Sequence, residues 1–442
     1  MDGEIEFLER LGDQLRRMAS EQSAKRGLWS RRLVRLPRIL PAMAVGLIVA
    51  VVGVTLWVAI PAREGVRTQP APGEGQVPGL GGALPPPNGE QLWAVDASSA
   101  SDVWAVGSRY EGERFRERSL VLHFDGTSWF RIASPDIGAL TDVAAASPDA
   151  AWAISGKQIL RWDGSSWQVS PDPAPPGAVL SSVDASGPDD AWVVGMRHGA
   201  HWVDEYGEPN VGFDTLTMHW DGTSWTIVPS PNGAPRHNFV ESVLALSPTE
   251  AWVVGYSQQG NDPRTLTIRW DGEAWSLVPS PDPGADFNVL WGMGTDGTGG
   301  VWAVGHYGEP GSRFMAMYAR WTGTEWEVVL GPSGEALHQT PTAVSGGSAD
   351  AVWAIGSEPT SSFLIAHWDG SRWESVGAEP PPAGGSDSPS LSDVVALSPA
   401  NAWAVGRYQG PPGREGTAET FPLVEHWDGA TWQVVEVPLP GE

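Results

Sequence analysis

The sequence predicts an all-β fold built from one repeated unit, preceded by a single membrane-spanning helix. Two numbers in the composition indicate the repeat, because the 442 residues include 25 Trp and 54 Gly. So much tryptophan beside so much glycine is typical of a short aromatic motif that recurs many times. The helix is indicated by an uncharged apolar run between Pro41 and Pro61, since about 20 apolar residues cross a hydrocarbon core of roughly 30 Å.

Charge and cysteine content exclude several classes of function. The chain has 27 Lys and Arg against 53 Asp and Glu, a formal net charge of −26. A protein with this net negative charge repels nucleic acid and anionic lipid, so we expect no nucleic acid partner. The chain has no cysteine, which removes disulfides, cysteine-ligated zinc, iron–sulfur clusters and thiol catalysis. We therefore predict no cofactor.

Residues 1–40 form a basic segment in an otherwise acidic chain. Apolar residues recur at three- and four-residue steps between Leu8 and Met18, which predicts one short amphipathic helix. We expect this helix to lie beside the membrane or to dock a cytoplasmic partner.

Residues 41–61 are predicted to be the transmembrane helix, and residues 62–90 a tether. Basic residues are concentrated before the span, and only Arg63 and Arg67 follow closely. This bias predicts a cytoplasmic N-terminus and places everything after the span outside the cell. The tether is rich in Pro and Gly and has no hydrophobic periodicity, so it should be extended.

From residue 91 onward one pattern returns seven times, and residues 91–442 form the repeat region. Each copy has a strand of small residues, a segment like W-[AV]-[VI]-G, then [HR]-[WF]-[DT]-G-x-x-W, and often V-P-S-P. The first Trp of each copy is Trp104, Trp152, Trp192, Trp252, Trp302, Trp353 or Trp403, and the closing Trp is Trp129, Trp167, Trp225, Trp275, Trp326, Trp373 or Trp432. Asp-Gly before the closing Trp predicts a tight hairpin. Each copy therefore has four short strands, and the region is predicted to be a seven-bladed β-propeller with tryptophans packed between blades.

This motif resembles the Trp-rich β-propeller repeats of bacterial proteins. The resemblance rests on segments such as Trp104-Ala105-Val106-Gly107, His219-Trp220-Asp221-Gly222-Thr223-Ser224-Trp225 and Val228-Pro229-Ser230-Pro231. The motif is more distantly similar to kelch and galactose-oxidase propellers. The resemblance implies the fold and carries no single activity.

The spacing between motif elements predicts which face of the propeller is functional. The third-strand aromatic residue and the closing Trp are five positions apart in every copy, whereas the interval between second and third strands varies from 10 to 28 residues. In an antiparallel four-stranded blade, all of the variable connections lie on one face. Loops on a rigid scaffold usually carry binding residues, so we expect the site on this variable face.

The third copy has the longest variable connection, residues 196–214. We interpret it as a flexible contact loop, although a metal site formed by two of its histidines and an aspartate, or a plain solvated insertion, are alternatives. Its candidate binding residues are His198, His201, Trp202, Asp204 and Glu205.

Two further tryptophans stand outside the repeat positions. Trp93 and Trp291 each lie two residues before the reference residue of a first strand, near the mouth of the propeller. An aromatic side chain there either stacks on a sugar ring or peptide or plugs the opening. Glu241 occupies the same position in the fourth copy and completes the candidate binding set.

Four histidines share one third-strand position, at which the other copies have arginine: His123, His219, His367 and His426. A residue present in every blade is symmetric, whereas a reaction centre is not. We therefore expect these side chains to form structural hydrogen bonds between blades.

The sequence thus favours a binding or scaffolding module that recognises cell-wall polysaccharide or an extracellular or membrane protein. It contains no recognised catalytic motif and selects no catalytic residue. Two alternatives remain open: an extracellular hydrolase or lyase that uses loop carboxylates on the variable face, and a sensor that relays ligand binding to residues 1–40.

Overall fold

The computed structural model describes residues 89–111, 116–203, 209–258, 260, 262–308, 314–332, 339–357, 363–381, 389–410 and 419–438. The predicted cytoplasmic segment, the predicted transmembrane helix at 41–61 and the tether up to residue 88 lie outside this range. In the part of the chain that is described, no helix has both the length and the apolar character needed to cross a bilayer.

The described residues are all-β. The strands are β1 Gly89–Ser99, β2 Asp102–Glu111, β3 Arg116–Phe124, β4 Trp129–Arg131, β5 Asp142–Ser147, β6 Ala150–Ile154, β7 Ile159–Trp162, β8 Trp167–Ser170, β9 Val179–Gly187, β10 Asp190–Val203, β11 Pro209–Trp220, β12 Trp225–Val228, β13 His237–Ser247, β14 Glu250–Gln258, β15 Arg264–Trp270, β16 Trp275–Leu277, β17 Phe287–Thr295, β18 Val301–Gly308, β19 Met315–Trp321, β20 Trp326–Val329, β21 Thr340–Ser348, β22 Ala351–Ser357, β23 Leu364–Trp368, β24 Trp373–Ser375, β25 Ser390–Ser398, β26 Asn401–Gln409, β27 Thr420–Trp427 and β28 Trp432–Val434.

Consecutive strands pair antiparallel in groups of four, from β1–β4 through to β25–β28. We number these groups units 1 to 7 in chain order. The first strand of each unit contacts the first strand of the next, and β25 of unit 7 contacts β1 of unit 1. This is the arrangement of a β-propeller, with the first strands innermost. Single parallel bridges, Gly89 with Thr420 and Phe213 with His237, join two pairs of neighbouring units.

The two ends of the described chain meet at unit 1 without exchanging a strand. The Arg131 guanidinium donates hydrogen bonds to both carboxylate oxygens of Glu90 and to the carbonyl of Pro438. Arg407 donates to Gln91 at 2.8 Å, which ties unit 7 to β1. Side-chain contacts therefore join units 7 and 1, and each unit is formed from consecutive strands.

The hairpins between third and fourth strands are set by the predicted glycines. Each has a positive φ, between 87° and 99°: Gly126, Gly164, Gly222, Gly272, Gly323, Gly370 and Gly429. A Cβ at Gly126 would lie 2.8 Å from Ser101, in the turn between the first and second strands of the same unit. The two short turns therefore share one face, and the variable connections lie on the other.

The tryptophans form the contacts between units. Trp252 of unit 4 is fully buried and packs against Trp321 and Trp326 of unit 5, at ring distances of 4.9 and 5.6 Å. The second contact is edge-to-face, the favoured geometry for two aromatic rings. The same second-strand Trp stacks on the next unit around the ring, and Trp403 of unit 7 packs on Phe124 and Trp129 of unit 1 at 4.8 and 5.4 Å.

Three of the repeated histidines, His123, His219 and His426, bond within their own units, so the prediction of bonds between blades was wrong for them. His123 lies 2.7 Å from Asp102 and its ring stacks on Trp104, and all three residues belong to unit 1. His219 makes the equivalent contact with Asp190 at 2.6 Å. The bond stays inside the unit because the second and third strands are hydrogen-bonded neighbours, which brings position 123 opposite position 104.

In units 1 to 4, 6 and 7, side chains of the innermost strand accept hydrogen bonds from the backbone of the next unit. The bonds, from backbone N–H to side-chain oxygen, are Ala145 to Asp96, Val183 to Asp142, Val243 to Ser182, Ala245 to Asp184, Met293 to Ser242, Ala396 to Ser345 and Val95 to Asp393, at 2.7 to 3.3 Å. A first strand has a hydrogen-bonded neighbour on one side only, and these side chains cap its open edge. Between units 5 and 6 the backbones meet directly, since a Cβ at Gly294 would lie 2.0 Å from the Val344 carbonyl oxygen.

Four of these capping residues are aspartates that surround the axis of the ring. Burial raises the pKa of Asp96 to about 6, of Asp142 to about 7 and of Asp393 to about 8, and repulsion among the carboxylates adds to this. The pKa of Asp184 is also raised well above its ordinary value. These side chains remain partly accessible to solvent and are surrounded closely by protein.

Replacing Trp252 by Ala should lower the free energy of unfolding by about 3 to 5 kcal/mol, through lost burial and the cavity left behind. Denaturant unfolding measures the change, and Trp252→Phe should cost less because part of the ring remains. A loss below about 1 kcal/mol in Trp252→Ala would show that this contact does not hold the units together.

Replacing Asp393 by Asn should alter the pH dependence of stability. The pKa of Asp393 rises from 3.8 to about 8 on folding, so this group costs stability progressively as the pH rises between those values. An Asn oxygen still accepts the Val95 N–H but does not ionise. The melting temperature of Asp393→Asn, relative to the wild type, should therefore increase from pH 5 to pH 8.

The control is Asp163→Asn, in an exposed hairpin where hydrogen bonds from Ser165 and Ser166 lower the aspartate pKa. Because this pKa is lowered, Asp163 is ionised at both pH 5 and pH 8, and the difference between this variant and the wild type should be the same at the two pH values. A constant difference for Asp393→Asn as well would contradict the inferred ionisation at the axis.

Candidate functional site

A β-bulge interrupts the innermost strand in six of the units, as the structure describes them. In unit 4, Val240 pairs with Gly255 and Ser242 pairs with Val254, so Glu241 is the extra residue. A bulged residue is left out of the ladder and its side chain is re-aimed, a device common beside functional sites. The bulged residues are Trp93, Ser181, Glu241, Trp291, Thr342 and Ser392.

The repeated glycine after the first Trp makes room for this bulge. A Cβ at Gly255 would lie 2.0 Å from the Phe239 carbonyl oxygen, which is much closer than a van der Waals contact allows. The equivalent glycines, with distances of 1.9 to 2.1 Å, are Gly107, Gly195, Gly305, Gly356 and Gly406. Unit 2 has Ser155 at this position, and its first strand pairs without a bulge at Thr141. The W-[AV]-[VI]-G motif therefore encodes the bulge.

Aromatic rings form a continuous row on the variable face of units 3 to 5. We call this row the aromatic arc, and its members are His198, Phe213, His237, Phe239, Tyr256, Trp291, His306, Phe287 and Phe314. Neighbouring ring centroids are 4.7 to 6.3 Å apart. Phe239 stacks on Tyr256, Tyr256 meets Trp291 edge-to-face at 5.9 Å, and Phe314 at one end is 42% exposed.

Trp291 is held in a fixed orientation within the arc. Its indole N–H donates to Nδ1 of His306 at 3.0 Å. His306 is itself buried and stacks on Phe287 at 5.2 Å. Burial lowers the pKa of His306 to about 4, so its imidazole is neutral and Nδ1 is free to accept this bond.

Glu241 lies beside Tyr256, whose pKa is raised by burial and by the charge of this carboxylate. Burial raises the pKa of Glu241 itself to about 8. Among the described residues, the Glu241 carboxylate accepts no hydrogen bond and has no ion-pair partner. An uncompensated carboxylate with a perturbed pKa on a variable surface is a candidate functional group.

Residues 196–214, predicted to be a flexible contact loop, mostly continue the paired strands β10 and β11. The predicted flexible conformation was therefore wrong, and the contact role stays a prediction. β10 continues to Val203 and β11 begins at Pro209, with His201 paired to Val211 and Trp202 paired to Asn210. The alternating residues on both sides of the connection extend the ladder of unit 3 beyond its neighbours. Asp204 and Glu205 lie outside the described residues, and the side chain of Trp202 is not described.

The structure brings only some of the candidate residues together. Trp291 and Glu241 meet through Tyr256, and His198 joins the arc through Phe213 at 6.3 Å. His201 is exposed on the hairpin. Trp93 has the same bulged position in unit 1, but none of the described ring contacts joins it to the arc. Within the described ranges, no group of three His, Asp or Glu residues is arranged to hold a metal ion.

Sequence analysis missed Tyr256, His306 and the phenylalanines of the arc. Tyr256 and His306 directly follow the repeat glycine, where other units have Ser108, Met196, Ser357 and Arg407. Comparison of the copies at that position would have identified units 4 and 5 as different. The phenylalanines were not singled out by the repeat: Phe213 contacts Phe239 of the next unit, and Phe287 and Phe314 contact His306 within unit 5.

Comparisons with known proteins indicate the fold and no more. No protein family model matches the chain, and no curated protein matches it in sequence. It is similar to an acylaminoacyl peptidase of Pyrococcus horikoshii in its orthorhombic crystal form, with a TM-score of 0.50 and 12% identity over 79% of this chain and 52% of that one. The uncomplexed peptidase gives a TM-score of 0.48 and 12% identity, over 78% and 52%.

A structure of YCF48 bound to D1 peptide matches with a TM-score of 0.42 and 17% identity, over 66% of this chain and 79% of that chain. In the two peptidase comparisons, this chain spans about half the length of the peptidase chains. The likeness to the peptidase structure with a TM-score of 0.50 agrees with repeated four-stranded antiparallel sheets arranged as a β-propeller.

Replacing Gly255 by Ala should disturb the bulge that carries Glu241. The new Cβ collides with backbone, which cannot turn aside as a side chain does, so we expect a loss of about 1 to 3 kcal/mol in unfolding free energy. The matched control is Gly187→Ala in β9, where a Cβ meets nothing within 4 Å. Equal stability of the two variants would show that the glycine is not required for the bulge.

Proposed function

We propose that this protein is a membrane-anchored binding module, a seven-bladed β-propeller of the Trp-rich bacterial type whose variable face docks a protein partner outside the cell. The seven units of four strands support the blade number. The apolar run at 41–61, with its basic N-terminal flank, supports the anchor and the orientation.

The observation that carries the proposal is the aromatic arc. Aromatic side chains are enriched at the centres of recognition surfaces, because they offer large rigid contact areas at a small entropic cost. The rings here hold one another in place, so a partner meets a surface that is already ordered. The fixed orientation of Trp291 by His306 is part of that preorganisation.

A protein partner fits this surface better than a neutral glycan. The faces of Phe239 and Tyr256 that are turned toward each other are already stacked, so only one face of each ring remains for a ligand, less than a sugar ring would use. Glu241 also lies in this region with no partner, and a neutral polysaccharide would leave it uncompensated.

The test is retention of cell-surface proteins by the immobilised full-length protein, with purified cell wall as the parallel matrix. Replacing Trp291 or Tyr256 by Ala should weaken protein retention about tenfold or more, since buried aromatic anchors contribute about 2 kcal/mol each. Replacing Asp369 by Ala, in a hairpin on the opposite face, should affect stability only.

Three results would count against this function. Binding to purified cell wall and not to cell-surface proteins would favour a glycan ligand. Equal retention of cell-surface proteins by the wild type and all variants would show that the arc is not part of the binding surface. Turnover of a peptide or glycan that is lost in Glu241→Gln would favour the hydrolase, because catalytic groups act chiefly on the transition state.

A further inference from the structure

Glu241 is the one bulged residue, among those described, that carries an ionisable side chain. The other units place Trp, Ser or Thr at this position. Its carboxylate is partly accessible, yet closely surrounded by protein, and burial is the sole influence that shifts its pKa. No described residue donates to it. The ionised form of such a group is costly without compensation, so a ligand that supplies positive charge would stabilise it.

The rings nearest to this carboxylate suit the same ligand. Tyr256 lies in the same unit as Glu241, whose charge contributes to the raised pKa of the tyrosine. Trp291 contacts Tyr256 edge-to-face, with ring centroids 5.9 Å apart. Aromatic faces attract organic cations through the negative potential above the ring, with Trp the strongest and Tyr next. A carboxylate beside two such rings is complementary to an amine or guanidinium with an apolar stem.

We propose that Glu241, Tyr256 and Trp291 form a surface site that binds the cationic side chain of a lysine or arginine presented by the partner protein. The proposal rests on the binding function proposed above and specifies the chemistry of its central contact. The neighbouring rings, Phe239 and Phe287, provide apolar area for the residues on either side of that cation.

The surrounding charge favours a cation over other ligands. The chain has a net charge of −26, and the axial aspartates Asp142 and Asp393 occupy, in units 2 and 7, the position that Ser242 has directly after Glu241. An anionic ligand would meet repulsion at every step of its approach. A cation gains from the long-range field during approach and from Glu241 after arrival.

Binding of a cation should be linked to proton release. Glu241 has a pKa of about 8, so it is largely protonated at pH 7 before the ligand arrives, and the cation stabilises the ionised form. Affinity should therefore rise from pH 6 to pH 9. Tyr256 and His306, the titratable groups that share this cluster, stay uncharged over this range, since the pKa of Tyr256 is raised and that of His306 lies at about 4.

His237 in the arc has a lowered pKa, through burial and the nearby charge of Arg236, and is also neutral above pH 7. The axial groups Asp142 and Asp393 do titrate between pH 6 and 9. The pH profile of the wild type must therefore be compared with that of Glu241→Gln, in which only the carboxylate of interest is removed.

The experiment uses the full-length protein in a maltoside detergent, because choline headgroups carry a quaternary ammonium that would compete. The probe is Nα-acetyl-lysine methylamide, and its uncharged counterpart is Nα-acetyl-norleucine methylamide. Saturation-transfer NMR titrations give both affinities at pH 6, 7.5 and 9. The wild type should bind the lysine probe about tenfold more tightly than the norleucine probe, with the preference growing as the pH rises.

Glu241→Gln should lose the preference for lysine and its pH dependence, and Trp291→Ala should weaken the binding of both probes. The matched control is Ser392→Ala, the bulged residue of unit 7, which should bind as the wild type does. Thermal unfolding of each variant checks that it is folded. The wild-type comparison of the two probes stands as a test by itself if Glu241→Gln does not fold.

Equal affinity of the wild type for the two probes would overturn the inference, as would a lysine preference that survives in Glu241→Gln. These failures differ from failure of the proposed function. If Trp291→Ala loses partner retention but the wild type shows no preference for the lysine probe, the docking function is supported and only the cation-binding inference fails. If the wild type prefers the lysine probe but Glu241→Gln retains the partner as the wild type does, the cation site exists and the partner does not use it.

Discussion

The structure depends on one contact that is repeated around the ring, the insertion of an indole from each unit between two aromatic rings of the next. Trp252 shows the pattern, since it is fully buried and packs on Trp321 and Trp326. No unit buries its faces alone, so each depends on both neighbours. The constant spacings within the motif follow from this contact, because an extra residue would move a ring out of its place.

The second constraint is at the axis, where first strands meet with one open edge each. Asp and Ser side chains cap those edges. The capping carboxylates are closely surrounded by protein, and this burial raises their pKa values. The glycine of the second strand then permits a bulge, which releases one residue from the ladder in every unit except unit 2. Variation in chemistry is tolerated at that residue, and Trp291 and Glu241 are examples.

Recognition and scaffold are thereby separated within a single repeat. The ladder, the Trp contacts and the Asp-Gly hairpins occupy positions that are nearly the same in all units. The bulged residues and those after the repeat glycine differ from unit to unit, and in units 4 and 5 they are aromatic or ionisable. The surface therefore differs from unit to unit on a symmetric frame, because these few positions lie outside the repeated tryptophan contacts that hold the units together.

The sequence by itself determined the all-β class, the four-stranded units and the identity of the packing residues, because the copies are aligned with one another by their own Trp and Gly spacing. It also placed Trp93, Glu241 and Trp291 at equivalent positions near the ring opening. Only the tertiary structure decided that residues 196–203 continue a strand, that the repeated histidines bond within a unit, and that Tyr256 lies between Glu241 and Trp291. Contacts between side chains of different units depend on the twist and closure of the ring, and no local pattern in the chain encodes those distances.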